Sequence, residues 1–267
     1  MSGRPGRRWT GRRGLVFGLC LAIALCGWGF GLSAEDTGPL ARADAVYGQR
    51  AIYDRAVEAA ALYRRAAAQR PDDFGAWWKL ARSLCWLADH GPRERKQAFS
   101  EEAVAAAGRA VALKPEHPAG YFWRGTALGF LGDAKGFPGG LSLLKDVRES
   151  METVIRLDPG FEEGGAWLVL GRLDFFLPSW LGGDGRRAIV NIETALRYGP
   201  RRWVNHLFLA EAYFKADRLA EARSLLRRIL EGPAQPGFEP EYQECRGEAE
   251  YWLAKIDERE PPGSGAR

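Results

Sequence analysis

The three histidines are the residues of this chain best suited to acid–base or metal chemistry, and their spacing supports neither. His90, His117 and His206 are scattered, and no His/Cys cluster at metal-ligand spacing accompanies them. The sequence also lacks the Gly-x-Ser-x-Gly and His-Glu-x-x-His motifs of hydrolases. It therefore predicts no catalytic residue, no metal and no cofactor, and a protein that is not an enzyme.

Two glycine-rich stretches, at residues 135–141 and 177–184, invite comparison with a phosphate-binding loop. Neither is followed by Lys-Ser or Lys-Thr, and no strand pattern precedes either of them. Glycine turns, with Asp184 capping the next helix, are the better interpretation. Their apolar residues are too many for free loops, so we expect these side chains to fold back onto the protein: Phe137, Leu141, Trp180 and Leu181.

Charge is unevenly distributed along the chain. Of the 38 basic residues, five are arginines within the first 13 positions, and no acidic residue precedes Glu35. Without residues 1–34 the chain has 33 basic and 34 acidic residues. The basic character thus belongs to the amino-terminal segment, and it gives no argument for nucleic-acid binding.

An apolar run at residues 14–32 follows these arginines, in the pattern of an export signal. As a helix with a rise of ~1.5 Å per residue, it would be roughly 28 Å long, enough to span a bilayer. A signal peptide ending at Ala34 and an uncleaved anchor both fit, and both export the rest of the chain. We expect a periplasmic protein, soluble or tethered to the inner membrane by residues 14–32. Cys85 and Cys245 are expected to be semi-buried thiols rather than a disulfide.

A repeated spacing of small and large residues organises the exported chain. Its clearest copy is Ala103, Ala107 and Ala110, followed by Pro115. The 4-then-3 spacing places the three alanines on one helix face, where a neighbouring helix can approach closely, and the proline ends the helix. The other copies begin at Ala59, Val147, Ala188 and Ala222.

A partner helix precedes these copies, with an aromatic residue followed by Leu-Gly or Leu-Ala, as in Trp167, Leu170 and Gly171. The two helices together resemble the tetratricopeptide (TPR) signature over roughly residues 41–233. This resemblance implies an all-α, TPR-like right-handed solenoid of about five helix pairs, with long insertions within the repeats and a C-terminal capping helix. The implied divisions are a signal peptide or anchor at 1–34, the solenoid at 35–233, a linker and capping helix at 234–257, and a disordered tail at 258–267.

A more specific resemblance lies within residues 157–188. This stretch is similar to the T-component (TatT) family of TRAP-type transporters, which are periplasmic TPR-like proteins. The resemblance implies a cavity lined by apolar residues, a capacity to form homo-oligomers, and work alongside a transporter substrate-binding protein. The residues that carry it are Leu157-Asp158-Pro159, Gly164-Gly165-Ala166-Trp167, Leu170-Gly171, Leu177-Pro178, Gly182-Gly183-Asp184 and Ala188.

The first helix of each TPR pair lines the concave face of such a solenoid. Counted from the signature, that face is rich in aromatic residues and arginines, the types that dominate binding hot spots. Arg82 and Arg172 occupy the same position two repeats apart and could hold the acidic head of an amphipathic ligand. The predicted groove residues are Trp78, Arg82, Trp86, Phe122, Phe130, Leu168, Arg172, Phe175, Phe176, Glu211 and Phe214.

Two interpretations of this face remain open from the sequence. It is either a binding groove or a stripe buried by the insertions, the capping helix or another protomer. Two functions also remain open. One is a non-catalytic accessory of a TRAP-type transport system that handles an apolar or amphipathic ligand. The other is a cell-envelope scaffold that binds a peptide or helix of a partner. We expect a protein partner or an apolar small molecule, no nucleic acid, and membrane contact through the amino-terminal segment alone.

Overall fold

The computed structural model of the protein describes residues 38–260, and every regular element in that range is helical. The predicted targeting segment lies outside the described residues, and so does the tail from residue 261 onwards. Three short 3-10 helices, Arg93–Arg95, Gly140–Leu143 and Ser179–Leu181, lie between longer helices. The α-helices are α1 (Pro39–Tyr47), α2 (Tyr53–Gln69), α3 (Phe74–His90), α4 (Lys96–Leu113), α5 (Pro118–Gly139), α6 (Leu144–Leu157), α7 (Phe161–Phe176), α8 (Gly185–Tyr198), α9 (Trp203–Lys215), α10 (Leu219–Glu231) and α11 (Glu239–Arg259).

The helices pack as successive antiparallel pairs, which confirms the predicted solenoid. Each odd-numbered helix from α1 to α9 contacts the even-numbered helix that follows it. The odd-numbered helices α3, α5, α7, α9 and α11 also contact one another in sequence, so they form the inner layer. The described chain thus contains five helix pairs and a final helix, α11, that takes the place of the inner helix of a sixth pair.

The alanines of the repeat lie where helices touch. Ala103, Ala107 and Ala110 on α4 have essentially no exposed surface, and the same is true of Ala188 and Ala195 on α8. An alanine side chain adds little bulk, so the backbones of neighbouring helices can approach closely at these points. The burial confirms the repeat register deduced from the 4-then-3 spacing.

The signature tryptophans connect an inner helix to the turn before it. The indole N–H of Trp77 donates to the carbonyl of Pro71 at 2.9 Å, and that of Trp167 donates to Pro159 at 3.2 Å. Asp73 caps the amino terminus of α3 by accepting a hydrogen bond from the backbone N–H of Ala76. These contacts fix the angle at which the chain enters each inner helix.

The first glycine-rich stretch, predicted to form turns, lies in the kinked end of α5 and the 3-10 helix that follows it, and the second contains the 3-10 helix Ser179–Leu181. Asp184 caps α8, as predicted, through the backbone N–H groups of Arg186 and Arg187. The expectation that their apolar residues all fold back is wrong for two of them. Leu181 packs against the core, but Phe137 is 51% exposed and Trp180 is 71% exposed. Phe137 lies just after Gly136, whose positive φ interrupts the helical geometry of α5 at this point.

The capping helix is present and longer than predicted. A linker and the capping helix were predicted at 234–257, and α11 extends over Glu239–Arg259, beyond the end of that range. It therefore includes the first two residues of the predicted disordered tail.

Cys85 and Cys245 are free, buried thiols. Within residues 38–260, none of the helices has the length and apolar composition needed to cross a bilayer.

Candidate functional site

The inner helices place the predicted groove residues on the concave side, but most of that face is covered. Leu168 on α7 and Phe122 on α5 are completely buried, and Trp78 keeps part of its surface exposed. This burial favours the interpretation in which the chain covers its own concave face. The buried members of the predicted set are Arg82, Trp86, Phe122, Phe130, Leu168 and Arg172, which we call the sealed centre.

Close packing between inner helices accounts for the sealing. The ring of Phe122 meets the rings of Trp123 and Phe161 edge-on, at centroid separations of 5.2 and 5.5 Å. Gly165 on α7 makes this approach possible, because a Cβ atom there would lie 2.8 Å from the Phe122 ring. A cavity of about 10 Å³ lies at the sealed centre beside Trp86 and Phe130, which is room for about one water molecule.

Arg82 is held by the protein rather than offered to a ligand. Its guanidinium donates to the hydroxyl of Tyr63 at 3.1 Å and lies 3.8 Å from Asp44. The Tyr63 hydroxyl in turn donates to Asp44 at 2.7 Å. The guanidinium also stacks over the ring of Tyr47, 4.3 Å from its centroid. Lys79 reaches the same Asp44 carboxylate at 2.6 Å, so Arg82 and Lys79 share one carboxylate within the chain.

Arg172 is likewise engaged within the chain. It forms an ion pair with Glu211 of the next inner helix, which was itself a predicted groove residue. Its guanidinium lies over the rings of Phe176 and Phe208, at 4.3 and 3.8 Å from their centroids. The two arginines expected to bind an acidic head group therefore stabilise the packing of aromatic residues instead.

A clasp between the two ends of the solenoid completes the seal. Arg50, in the turn between α1 and α2, donates to both carboxylate oxygens of Glu241 on α11, at 2.7 and 2.9 Å, and to the carbonyl of Gly237 at 2.7 Å. Both charged side chains are buried. Burial raises the pKa of Glu241, and the positive charge of Arg50 opposes that rise.

A second polar contact supports the clasp. His90 at the end of α3 lies 3.1 Å from Glu244 of α11, and its ring stacks on Trp86 at 3.5 Å. Burial alone would lower the pKa of His90, but the hydrogen bond with Glu244 and the negative charge of Asp89 raise it to about 9. His90 is therefore positively charged at neutral pH and attracts the acidic face of α11.

A left-handed turn at the start of α7 places a half-buried carboxyl group, that of Glu162, within electrostatic reach of Arg82. Glu162 and Glu163 have φ angles of 50° and 53°, which is uncommon for residues other than glycine. Gly164 follows with φ 79° and packs so closely on α8 that a Cβ atom would lie 2.9 Å from the Cα of Ala195. Burial raises the pKa of Glu162 to about 7, although the positive charges of Arg202 and Arg82 oppose the rise.

The remaining part of the predicted face stays accessible. Phe175 and Phe176 at the end of α7, with their ring centroids 5.0 Å apart, and Phe214 near the end of α9 are only partly buried. Trp252 of α11 joins them, with its ring 5.0 Å from that of Phe214. We call Phe175, Phe176, Phe214 and Trp252 the aromatic cluster.

Cations border the aromatic cluster. The ammonium group of Lys215 lies 4.5 Å from the ring centroid of Phe175, and the guanidinium of Arg259 lies 3.9 Å from that of Phe214.

Trp252 was missed in the sequence because it lies in the capping helix, outside the repeats whose signature defines the concave positions. The adjacent aromatic residues Tyr251 and Trp252 were the only sequence signal for this position.

Nothing among residues 38–260 is arranged for metal binding, since no group of three or more His, Cys, Asp or Glu side chains converges there. The accessible arrangement is therefore a set of aromatic rings with a basic border. Such a surface suits the binding of apolar side chains, because aromatic residues and arginines contribute most of the energy at protein interfaces.

Comparisons with known proteins agree with this architecture. A family model described as regulator of microtubule dynamics protein 1-3 matches residues 40–178, just over half of the chain, and a tetratricopeptide-repeat model matches residues 181–244. None of the curated protein sequences matches the chain significantly.

Solved structures add similarity at the level of the fold. TTC0263, a thermophilic TPR protein of Thermus thermophilus, has a TM-score of 0.58 at 22% identity, over 78% of this chain and 96% of that one. PilF of Pseudomonas aeruginosa has a TM-score of 0.49 at 16% identity, over 85% of this chain and 96% of that one.

Proposed function

The chain belongs to the regulator of microtubule dynamics protein 1-3 family, and we propose that it is a non-catalytic, TPR-type module that binds a partner protein through its aromatic cluster. TPR-repeat proteins are generally non-catalytic scaffolds that bind protein partners. One observation carries the choice of surface: the sealed centre is filled by the chain itself, whereas the aromatic cluster keeps four large rings partly exposed.

The geometry favours a protein segment over a small molecule enclosed in the groove. The cavity of about 10 Å³ at the sealed centre is far below the ~300 Å³ or more of ordinary ligand pockets. The aromatic cluster is an open surface instead, formed by the carboxy-terminal ends of α7 and α9 and by α11. An apolar face of a partner helix or peptide would cover such a surface.

The basic border suggests which flanking residues the partner carries. Lys215 is exposed, and Arg259 is half exposed beside Asp217, at 3.7 Å. Exposed charges contribute little affinity on their own but select among partners. We expect a segment with apolar residues at helical spacing and an acidic residue beside them.

The identity of the partner is a finer proposal. The resemblance of residues 157–188 to the TatT family supports a substrate-binding protein of a TRAP-type system, and the apolar run at 14–32 supports a periplasmic site of action, soluble or anchored. In that setting the chain would handle an apolar or amphipathic solute together with its partner. A general cell-envelope scaffold is the alternative, supported by the repeat alone. The family description names proteins that regulate microtubule dynamics, so tubulin belongs among the partners to be tested.

The test is a binding titration of the full chain against three purified probes. They are a TRAP-type substrate-binding protein, tubulin, and a solvatochromic dye displaced by fatty acid. The double variant Phe176→Ala/Phe214→Ala should weaken binding of the true partner about tenfold or more, because two aromatic contacts are lost. The matched control is Val190→Ala/Tyr198→Ala, which removes exposed apolar groups from α8.

Each outcome has a definite meaning. If one protein probe binds and only the cluster variant weakens it, the module is confirmed and its partner class identified. If the dye alone binds and responds to the variant, the surface takes a small molecule and the partner-protein proposal fails. If a partner binds equally well to both variants, its site lies elsewhere on the chain.

A further inference from the structure

Two exposed aromatic rings from different insertions meet at one edge of the solenoid. Phe137 follows α5 and Trp180 precedes α8, and their ring centroids are 6.4 Å apart at an interplanar angle of 85°. Both turns join an inner helix to its outer partner, so they lie at the same end of the helix pairs. We call this pair the edge aromatics. They belong to neither the sealed centre nor the aromatic cluster.

The turn that carries Trp180 is held by a buried ionic network. Asp174, whose side chain is fully buried, accepts hydrogen bonds from Arg148 at 2.7 Å and from Arg187 at 2.6 Å. Arg187 also donates to the carbonyl of Gly182 at 2.5 Å, two residues after Trp180. The protein therefore fixes the backbone that carries this ring, although 71% of the surface of Trp180 is exposed to water. A large apolar side chain held outward in this way indicates a surface that another molecule covers when the protein functions.

Exposed cations flank the edge aromatics along the chain. Lys135 and Arg186 are exposed, and neither side chain has an ion-pair partner among residues 38–260. Arg148 and Arg187 share the Asp174 carboxylate, and the nearby Asp184 carboxylate balances the second of these charges, so the excess positive charge at this edge comes from Lys135 and Arg186. Arg186 also lies in the first turn of α8, where a cation is disfavoured by the helix dipole, so helix stability does not explain its presence.

From this arrangement we infer that the edge aromatics dock onto the headgroup region of an anionic bilayer. The exposed area of the two rings is on the order of 300 Å², well below the ~800 Å² that each partner buries in a stable protein dimer. Two rings flanked by cations match the boundary between lipid headgroups and acyl chains, where aromatic side chains concentrate. Each basic residue near such a surface adds attraction to anionic lipid.

The sequence provides a second, separate reason to expect a nearby membrane. The apolar run at residues 14–32 is long enough to span a bilayer. Docking of the edge aromatics adds a second contact to the single membrane contact expected from that run. It would fix the orientation of the solenoid relative to the bilayer, because one anchored end leaves a domain free to rotate.

The test places a photoreactive group at the docking surface of the full chain. Trp180→p-benzoylphenylalanine is compared with Tyr198→p-benzoylphenylalanine, which replaces an exposed aromatic residue at the opposite end of α8. Both are reconstituted in vesicles of phosphatidylcholine and phosphatidylglycerol, and in vesicles of phosphatidylcholine alone. After irradiation, mass spectrometry distinguishes lipid adducts from cross-linked dimers.

We expect about fivefold more lipid adduct at position 180 than at position 198 in the anionic vesicles, and less in the neutral ones. The charge reversal Lys135→Glu/Arg186→Glu should reduce the adduct at position 180 about tenfold, whereas Lys114→Glu/Arg201→Glu at the opposite edge should not. The Phe176→Ala/Phe214→Ala variant should leave the adduct unchanged, which separates this inference from the proposed function.

Three results would overturn the inference. Equal lipid adduct at positions 180 and 198 would mean that the edge does not touch the bilayer. Cross-linked dimers as the main product at position 180 would make the edge an interface between copies of the chain. If neither the charge reversal nor the lipid charge changes the amount of adduct at position 180, the edge aromatics do not bind an anionic membrane. A far-UV circular dichroism spectrum of each variant confirms that the helices are intact.

Discussion

The sealed centre and the aromatic cluster are both rich in aromatic residues from the predicted concave face, to which α11 adds Trp252, yet only the aromatic cluster is accessible. At the sealed centre, Gly165 lets α7 approach Phe122, and the clasp from Arg50 to Glu241 draws α11 against the first turn. The aromatic cluster is formed by the carboxy-terminal ends of α7 and α9 and by Trp252 of α11, and it keeps partly exposed rings. Repeat position thus sets the direction of a side chain, while glycine placement and distant ion pairs decide whether it is covered.

The largest difference between the two regions should be in stability. Phe122→Ala removes a completely buried ring and should lower the free energy of unfolding by about 3–5 kcal/mol. Phe214→Ala removes a partly exposed ring and should cost about 1 kcal/mol. Urea denaturation of the full chain, followed by circular dichroism, measures both. Similar losses for the two variants would mean that the regions do not differ in burial.

The clasp should contribute the next largest effect. Glu241→Ala leaves Arg50 buried without its partner and should destabilise the protein by about 3 kcal/mol. The double variant Arg50→Met/Glu241→Leu replaces the ion pair with apolar groups of similar size, and it should recover most of that loss. Thermal unfolding of the two variants beside the wild type checks this. A Glu241→Ala protein as stable as the wild type would show that the clasp does not hold α11.

The smallest expected effect is a dependence of stability on pH. The folded pKa of His90, about 9, is above the ordinary value of 6.5, so its stabilising contribution is complete below pH 6.5 and is lost as the pH rises through 9. Because the side chain is partly exposed, we expect a loss of about 1–2 kcal/mol. His90→Gln should flatten the stability curve between pH 6.5 and 9. A curve of unchanged slope would mean that the charge on His90 does not contribute to the clasp.

The sequence was sufficient to predict the helix pairs and much of their packing. Short-range periodicity reports on a helix face, so the burial of Ala107 and Ala195 and the presence of α11 could be predicted. The covering of the concave face could not be predicted in the same way. It depends on contacts such as Arg50 with Glu241, which are 191 residues apart, and no local pattern reports such a pairing.

The sequence predicted only part of the candidate site, because the rest also depends on contacts between residues far apart in the chain. Phe175, Phe176 and Phe214 follow from the repeat register, but Trp252 lies beyond the last repeat and came from the fold alone. The pairing of the two arginines within the chain could not be predicted, because their partners are remote: Glu211 is 39 residues from Arg172. The exposure of Trp180 also depends on tertiary structure, through the network around Asp174.

Alkylation of Cys85 in the native full chain tests the sealing of the concave face most directly. Cys85 lies on α3 beside the small central cavity and is 3% exposed, and burial raises the pKa of its thiol above the usual range. We predict that iodoacetamide modifies Cys85, resolved by peptide mass spectrometry, about 100-fold more slowly in the native chain than in urea, and that Glu241→Ala removes much of this protection. Modification of native Cys85 at a rate close to that in urea would show that the concave face is open, and would contradict the sealing of the centre by the chain itself.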